Sequence, residues 1–269
     1  MHPIRRLPLL RLLERTAGLL RRLGLGRLID RARAPALRAL GEFTEQVGGV
    51  VLSGDTALHS HYVRQLQEED REGATVRAFS EAVRDGAVVL DIGAHLGYFT
   101  ALAAKRGATV IAFEPNPRTI PYLRRNLELN GVADRVRVVE RAVGEEQGTA
   151  SFFLSRGGDE SSLHAHSPED EPVSVEVVQV DAEVHGLRVD VIKMDVEGGE
   201  VEALRGMRRT LADAAPGLVL FVERNSHALG RAGHSPGDLD DALRSLGLEL
   251  EVLDQDEESG YVNLVCRRA

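Results

Sequence analysis

The stretch VLDIGAHLGYF, residues 89–99, decides the fold, because an apolar run leads directly into a glycine loop and then a helical pattern. A strand that enters a glycine loop opening a helix is how a dinucleotide-binding unit begins. The dinucleotide pattern G-x-G-x-x-G is incomplete here, since Gly93 and Gly97 are spaced G-x-x-x-G and His95 replaces the middle glycine. The loop therefore predicts a nucleotide-containing cofactor and disfavours NAD.

Two carboxylates stand at the ends of neighbouring strand patterns, Asp91 in VVLDI and Glu114 in TVIAFE. Asp91 would repel a phosphate and attract a cation, and S-adenosylmethionine carries a sulfonium and an ammonium but no phosphate. Glu114 is placed to accept both hydroxyls of a ribose, a role that NAD-binding folds share, so it does not discriminate by itself. Helix capping is the ordinary alternative for both residues. Together they favour S-adenosylmethionine.

Strand and helix patterns alternate outward from this loop, which predicts a mainly parallel sheet with helices on both faces. The predicted strands are 88–92, 109–114, 136–140, 149–154, 173–180, 189–195, 217–223, 248–253 and 261–267. The predicted helices are 98–105, 117–130 and 200–212, with one or two more over 56–84. The last two strands are expected to pair antiparallel around an acidic turn.

A second group of ionisable residues lies in KMDVEGGE, which begins at Lys193 and ends a predicted buried strand. Alternation along a strand places Lys193 and Asp195 on one face. Glu223 ends the neighbouring predicted strand, so we expect its carboxylate in the same crevice as Asp195. Methyl transfer to a hydroxyl needs a base near the acceptor. The candidate catalytic residues are therefore Lys193, Asp195, Glu223 and the nearby His227.

The same crevice has a metal-binding interpretation. Asp195, Glu223 and Asn225 would offer oxygen ligands to magnesium, and O-methyltransferases of the catechol type place metal ligands at these two strand ends. The leading interpretation assigns no metal ligands, and a magnesium ion is kept as the alternative. The long polar segment 155–172, which contains His164 and His166, is predicted to fold over substrate or cofactor.

These motifs resemble those of the FkbM-type S-adenosylmethionine-dependent methyltransferases. The resemblance rests on LDIGAHLGYFT, FEPNP, LNG, SSL and VIKMDVEGGEVEALRG, and it covers roughly residues 56–225. The K-x-D-x-E-G-x-E run is its specific element, and His95 departs from the asparagine that is commoner in the loop. The resemblance implies a class I methyltransferase fold, Rossmann-like and α/β, with a seven-stranded, mostly parallel sheet. It also implies O-methylation, often on a sugar or natural product.

We therefore predict an S-adenosylmethionine-dependent O-methyltransferase whose acceptor is a hydroxyl of a sugar or small natural product. The alternatives are a metal-assisted O-methyltransferase of the catechol type and a non-catalytic module that binds S-adenosylmethionine. A nucleic-acid amino-methyltransferase is disfavoured, because MDVEGG lacks the proline and aromatic residues of the motif that such enzymes carry. The candidate cofactor contacts are Asp91, Gly93, His95, Gly97, Tyr98, Phe99, Glu114, Pro115, Asn116, Ala142 and Asp195.

Composition divides the chain into two predicted parts, a basic helical extension over 1–55 and a methyltransferase domain over 56–269. The net charge of −9 argues against nucleic acid as a partner, yet residues 1–40 carry ten arginines. This arm is a candidate for docking on an anionic surface or a carrier protein. Arginines interrupt its apolar runs, so we expect no transmembrane segment. The single cysteine suits a reducing cytoplasm.

Overall fold

The computed structural model describes residues 39–67, 69–155, 161–256 and 260–268. The arm predicted over residues 1–40 falls almost wholly outside them. The strands are β1 (Glu42–Val47), β2 (Val50–Asp55), β3 (Val88–Ile92), β4 (Thr109–Phe113), β5 (Val136–Val139), β6 (Ala142–Val143), β7 (Gly148–Leu154), β8 (Glu171–Val178), β9 (Val191–Met194), β10 (Val219–Asn225), β11 (Leu248–Asp256) and β12 (Tyr261–Arg268).

The helices alternate with these strands as the patterns predicted. They are α1 (Thr56–Gln67), α2 (Glu69–Ala82), α3 (Tyr98–Lys105), α4 (Ile120–Leu129), α5 (Val180–Glu183), α6 (Glu200–Arg205), α7 (Arg208–Asp213), α8 (Ser226–Arg231) and α9 (Pro236–Ser245). Among the described residues, none of them combines the length and the apolar character that crossing a bilayer requires.

Seven strands form the main sheet, in the order β11-β12-β10-β9-β3-β4-β5. The five strands from β5 to β10 are parallel, whereas β12 pairs antiparallel with both β10 and β11. The predicted seven-stranded, mostly parallel sheet with a C-terminal antiparallel hairpin is thus confirmed. A smaller sheet, β6-β8-β7, contains the two additional predicted strands.

The core lies on both faces of the main sheet. Val89 of β3 belongs to one buried apolar cluster, and its neighbours Leu90 and Ile92 belong to a second, because side chains alternate across a strand. The first cluster includes residues of α3 and α4, and the second includes residues of α6, α7 and α9. Apolar side chains on both faces explain why the central strands are nearly continuous apolar runs.

Two helix boundaries differ from the prediction. The helix expected from Pro117 begins at Ile120, after a turn that follows Asn116. The helix expected over 200–212 is two helices, because α6 ends at Arg205 and α7 begins at Arg208. A side chain at Gly206 would overlap the main-chain oxygen of Gly144, so the helix break lets two segments approach closely.

The predicted helical extension over 1–55 is wrong for residues 42–55, which form the antiparallel hairpin β1–β2. Phe43, Val50 and Leu52 of this hairpin are buried in the same cluster as α3. The physical reason is a two-glycine turn between segments whose side chains alternate in burial, a pattern that favours a hairpin over a helix. The hairpin therefore packs into the core of the main domain.

Asn126 of α4 and Asn130, which directly follows α4, attach this hairpin to the helix, and Asn126 also bonds to the glycine loop. Asn126 is fully buried, and its Oδ1 accepts hydrogen bonds from the backbone N–H and the hydroxyl of Ser53. Its Nδ2 donates to the main-chain oxygens of Ser53 and Leu96. One turn later, Asn130 pairs with both backbone groups of Val51. The hairpin is thus fixed to the loop that precedes α3.

Candidate functional site

The site lies where the parallel strands β4, β3, β9 and β10 end side by side. In an open sheet of this kind, ligands bind outside the carboxyl ends of the strands. Gly93 follows β3 with φ of 86°, a backbone conformation that suits glycine. A Cβ at Gly93 would overlap the main-chain oxygen of Asp195, which follows β9. The glycine loop and the KMDVEGGE segment are therefore in direct contact.

Hydrogen bonds within the chain hold the glycine loop in place. Asp91 is almost fully buried, and its Oδ2 accepts a hydrogen bond from the hydroxyl of Thr100. Glu114 Oε2 accepts from the backbone N–H of His95 at 2.7 Å, and Oε1 accepts from that of Asn116 at 2.8 Å. Burial raises the pKa of Asp91 to about 6 and that of Glu114 to about 7, although these hydrogen bonds oppose the shift.

The ring of His95 lies between the loop and α1. Its centroid is 4.4 Å from the Tyr62 ring and 5.4 Å from the His59 ring. Burial lowers the pKa of His95 well below its usual value, so the imidazole is neutral. Nε2 of His95 is buried without a hydrogen-bond partner. A buried ring nitrogen of this kind is available to a bound ligand, and His59 and Tyr62 of α1 cover the loop.

The other cofactor candidates divide by where their side chains point. Tyr98 is 2% exposed, and its hydroxyl lies against Gly48 of the hairpin, so its ring faces the core and not the crevice. Contact of Tyr98 with a cofactor therefore stays a prediction. Phe99 lies nearer the crevice, with Lys193 Nζ 5.4 Å from its ring centroid. Contacts of Gly97, Pro115 and Ala142 with a cofactor stay predictions.

Three carboxylates converge at the ends of β9 and β10. Asp195, Glu197 and Glu223 each offer an oxygen, and these oxygens lie within 4.8 Å of one another. Lys193 Nζ is 3.4 Å from Asp195 Oδ2. Glu197 has φ of 54°, which is uncommon for a residue with a side chain and is a local strain often found at functional sites. We call Asp195, Glu197 and Glu223 the carboxylate cluster.

The members of the carboxylate cluster differ in exposure. The Asp195 side chain is 31% exposed, whereas Glu223 is 8% exposed. Burial, reinforced by the charges of Asp195 and Glu197, raises the pKa of Glu223 well above its usual value. Glu200 lies behind the cluster, and burial raises its pKa to about 7. Asp195 and Glu197 are thus easier for a substrate to reach than Glu223.

The remaining polar candidates are placed elsewhere. His227 is exposed on α8 and lies beside Gly260, so the structure does not bring it into the carboxylate cluster. Its neighbour Asn225 caps α8, because Oδ1 accepts from the backbone N–H groups of His227 and Ala228. The oxygen that lies beside those of Asp195 and Glu223 therefore belongs to Glu197 and not to Asn225. Burial lowers the pKa of His164, and the charge of Glu202 opposes this shift.

Sequence reasoning missed two supports of the site. Thr100, the partner of Asp91, lies nine positions later, and spacing along α3 was a usable signal because the helix begins at the loop. Asn126, which bonds to Leu96 at the loop, had no such signal, since its partners are distant in sequence. The sequence shows that Glu197 lies two positions after Asp195, but not that its side chain meets those of Asp195 and Glu223. That meeting depends on the turn, in which Glu197 has an unusual φ.

A family profile matches residues 91–250 of the chain, that of the methyltransferase FkbM domain. The match begins at the carboxylate that ends β3 and includes the glycine loop and the carboxylate cluster. Among solved structures, an rRNA-methylase candidate from Clostridium thermocellum superimposes with a TM-score of 0.51 at 11% identity, over 74% of this chain and 97% of that one. At this identity the likeness shows the fold alone.

Curated relatives agree with the family assignment. The hexuronic acid methyltransferase AglP of Haloferax volcanii is 29% identical over 201 residues, which are 73% of this chain and 77% of AglP. The 2-O-methyltransferase NoeI of Sinorhizobium fredii is 31% identical over 147 residues, 46% of this chain and 58% of NoeI. Methyltransferase 1 of Beauveria bassiana is 28% identical over 46% of this chain and 59% of its own length. The chain thus spans under two thirds of the latter two.

Proposed function

The chain belongs to the methyltransferase FkbM domain family, and we propose that it transfers a methyl group from S-adenosylmethionine to a hydroxyl of a sugar or another small natural product. Two relatives support this acceptor class, since one is named a hexuronic acid methyltransferase and the other a 2-O-methyltransferase. The seven-stranded sheet and the glycine loop after β3 are those of S-adenosylmethionine-dependent methyltransferases.

One observation carries the proposal. The glycine loop touches the backbone of Asp195, because Gly93 leaves no room for a side chain between them. A cofactor held by the loop and a proton acceptor on Asp195 therefore share one crevice. Methyl transfer requires this proximity, since positioning of the acceptor oxygen in line with the methyl group supplies much of the rate.

The polar groups of the loop fit S-adenosylmethionine. Each Glu114 oxygen accepts one backbone hydrogen bond and retains a further lone pair for a ribose hydroxyl. The buried Nε2 of His95 lacks a partner and is available to the same ligand. Asp91 places negative charge beneath the loop, which favours a cationic group over a phosphate. The residues that would hold the cofactor are therefore Asp91, Gly93, His95 and Glu114.

Bound S-adenosylmethionine supplies an electrophilic methyl group on a sulfonium. The acceptor oxygen forms a bond to the methyl carbon as the carbon–sulfur bond breaks, and the hydroxyl proton passes to a carboxylate. Asp195 takes this proton in our proposal because its side chain is partly exposed and lies beside Lys193 and the cofactor loop. Lys193, paired with Asp195, orients the carboxylate.

A non-catalytic module that binds S-adenosylmethionine is the second candidate. A module that only binds would need Asp91, Gly93 and Glu114, but it would have no use for three converging carboxylates in reach of the cofactor loop. Burying such groups costs free energy, so their presence favours catalysis.

The test is transfer of labelled methyl groups from S-adenosylmethionine to a panel of acceptors by the purified full-length chain. The panel contains glucuronides, neutral glycosides and deoxy analogues that lack one hydroxyl each. We expect product with at least one hydroxylated sugar and loss of product when the reacting hydroxyl is absent. Binding of S-adenosylhomocysteine without transfer to any member would favour the non-catalytic module.

The basic arm, residues 1–40, enters the proposal as a docking element for an anionic membrane or an acidic carrier protein. Its ten arginines are the supporting observation. Salt should weaken such docking steeply. The test compares the full-length chain with a variant that starts at residue 39, and measures how much of each is retained on vesicles with and without anionic lipid. Equal retention of the two proteins would contradict docking.

A further inference from the structure

We propose that the carboxylate cluster, Asp195, Glu197 and Glu223, binds one divalent cation of the oxygen-preferring class, Mg²⁺ or Ca²⁺. The three carboxylates come from the ends of two adjacent strands and the turn between β9 and α6. Their ligand oxygens lie within 4.8 Å of one another, which is close enough for one ion to contact all three. The cation site stands on this geometry, and only its role in catalysis rests on the proposed function.

Glu223 provides an independent reason to expect a ligand. It is 92% buried, since only 8% of its surface is exposed, and it accepts no hydrogen bond from the residues that the structure describes. Burying a carboxylate that accepts no hydrogen bond costs free energy. The carboxylate nevertheless points to where two others converge. A cation at that point would offset the cost.

Glu200 gives the same indication from behind the turn. Its Oε1 accepts hydrogen bonds from the backbone N–H groups of Val196 and Gly198, on either side of Glu197. Its Oε2 is buried without a partner. The Glu200 carboxylate thus lies beneath the turn that carries Glu197 and adds negative potential there. This support keeps Glu197 in its uncommon backbone conformation, with φ of 54°.

The donor set selects the kind of ion. Carboxylate oxygens without histidine or thiol ligands favour Mg²⁺, Ca²⁺ and Mn²⁺ over zinc or copper. Three protein ligands leave further positions for water and for an acceptor hydroxyl, whose pKa a bound cation lowers. Asp195 would give one oxygen to the ion and keep the other for the proton. The ion would also let a negatively charged sugar approach a negatively charged crevice.

The experiment measures the cation alone. Full-length protein, treated with a chelator and then desalted, is titrated with Mn²⁺, and free Mn²⁺ is followed by electron paramagnetic resonance. We expect one Mn²⁺ per chain, displaced by excess Mg²⁺ or Ca²⁺. Glu223→Gln should weaken the binding at least tenfold, whereas the exposed control Glu251→Gln should leave it unchanged. Glu251 forms a surface ion pair with Arg267, away from the cluster.

S-adenosylhomocysteine binding, measured on the same samples, separates the two proposals. If the wild type binds S-adenosylhomocysteine but no stoichiometric Mn²⁺, the cation site is overturned and the methyltransferase proposal stands. Equal Mn²⁺ affinity in wild type and Glu223→Gln also overturns the site, because the ion would then bind elsewhere on an acidic surface. Retained S-adenosylhomocysteine binding in Glu223→Gln shows that the variant is folded.

Discussion

The two halves of the crevice are built differently. At the ends of β3 and β4, the carboxylates of Asp91 and Glu114 accept hydrogen bonds from the chain itself. At the ends of β9 and β10, Glu223 is buried with no hydrogen bond from the described residues, and it faces two other carboxylates. The first half is a preformed cradle, whereas the second half brings three carboxylates together.

This difference indicates that the two halves of the crevice have different roles. A cradle made of internal hydrogen bonds is part of the fold, so damage to it should reduce stability and cofactor affinity together. Carboxylates that converge in one crevice repel one another and contribute little to folding, so their removal should reduce turnover while the fold persists. Four substitutions test this division, from the largest expected effect to the smallest.

Gly93→Ala should have the largest effect, because the new methyl group would overlap the main-chain oxygen of Asp195 where φ is 86°. We expect the free energy of unfolding to fall by on the order of 3 kcal/mol and S-adenosylhomocysteine binding to be lost. Chemical denaturation and calorimetry measure the two quantities. Gly217→Ala is the control, since that position has open space. A stable Gly93→Ala that binds normally would contradict the contact between the two halves.

Asn126→Ala tests whether the cradle depends on the hairpin. The substitution leaves Ser53 and the oxygen of Leu96 without their buried partners. The free energy of unfolding should fall by about 2–3 kcal/mol, with weaker S-adenosylhomocysteine binding. Asn130→Ala is the matched control one helical turn away, where partial exposure lets water replace the lost bonds. Equal losses in the two variants would mean that burial of Asn126 is not what matters.

Asp195→Asn tests the other half. We expect turnover with a responsive acceptor from the panel to fall about 100-fold, because the proton acceptor is removed. Stability should fall by about 1–2 kcal/mol, because the buried ammonium of Lys193 loses the charge of Asp195, but the fold should persist. Asp213→Asn, on the exposed end of α7, serves as control. An equal loss of turnover and of S-adenosylhomocysteine affinity would reassign Asp195 to the cofactor half.

Glu114→Gln should weaken S-adenosylhomocysteine binding about tenfold at pH 8. Burial raises the pKa of Glu114 to about 7, so the group is protonated below that pH and ionised above it. The ionised form accepts hydroxyl hydrogen bonds better, and affinity in the wild type should therefore fall as the pH falls from 8 to 6. The variant should lack this dependence. Glu140→Gln, in an exposed ion pair with Arg124, should behave as wild type.

The strands were predictable because burial on both faces makes them apolar. The strand and helix that flank the glycine loop, Val88–Ile92 and Tyr98–Lys105, match their predicted bounds to the residue. The hairpin over 42–55 was missed although its Gly48-Gly49 turn was legible in the sequence. Its position over the loop depends on Asn126. The hydrogen bonds of Asn126 reach residues that are distant in the sequence, so no local sequence pattern predicts them.

Only part of the site could likewise be predicted from the sequence. Asp195 and Glu223 were expected together because their strands were expected side by side, and the structure confirms that they meet. Glu197 joins them through a turn with an uncommon φ, which residue alternation does not reveal. His227 was expected nearby for its place after β10, but Asn225 starts α8 at once and leaves that ring exposed.

The most direct test is a calorimetric titration of wild type, Glu114→Gln and Asp195→Asn with S-adenosylhomocysteine, with NAD as the negative control. We predict that wild type binds S-adenosylhomocysteine and not NAD, that Glu114→Gln binds about tenfold more weakly, and that Asp195→Asn stays within about threefold of wild type. Heat from NAD, or no heat from S-adenosylhomocysteine in the wild type, would contradict the assignment of this sheet edge to S-adenosylmethionine.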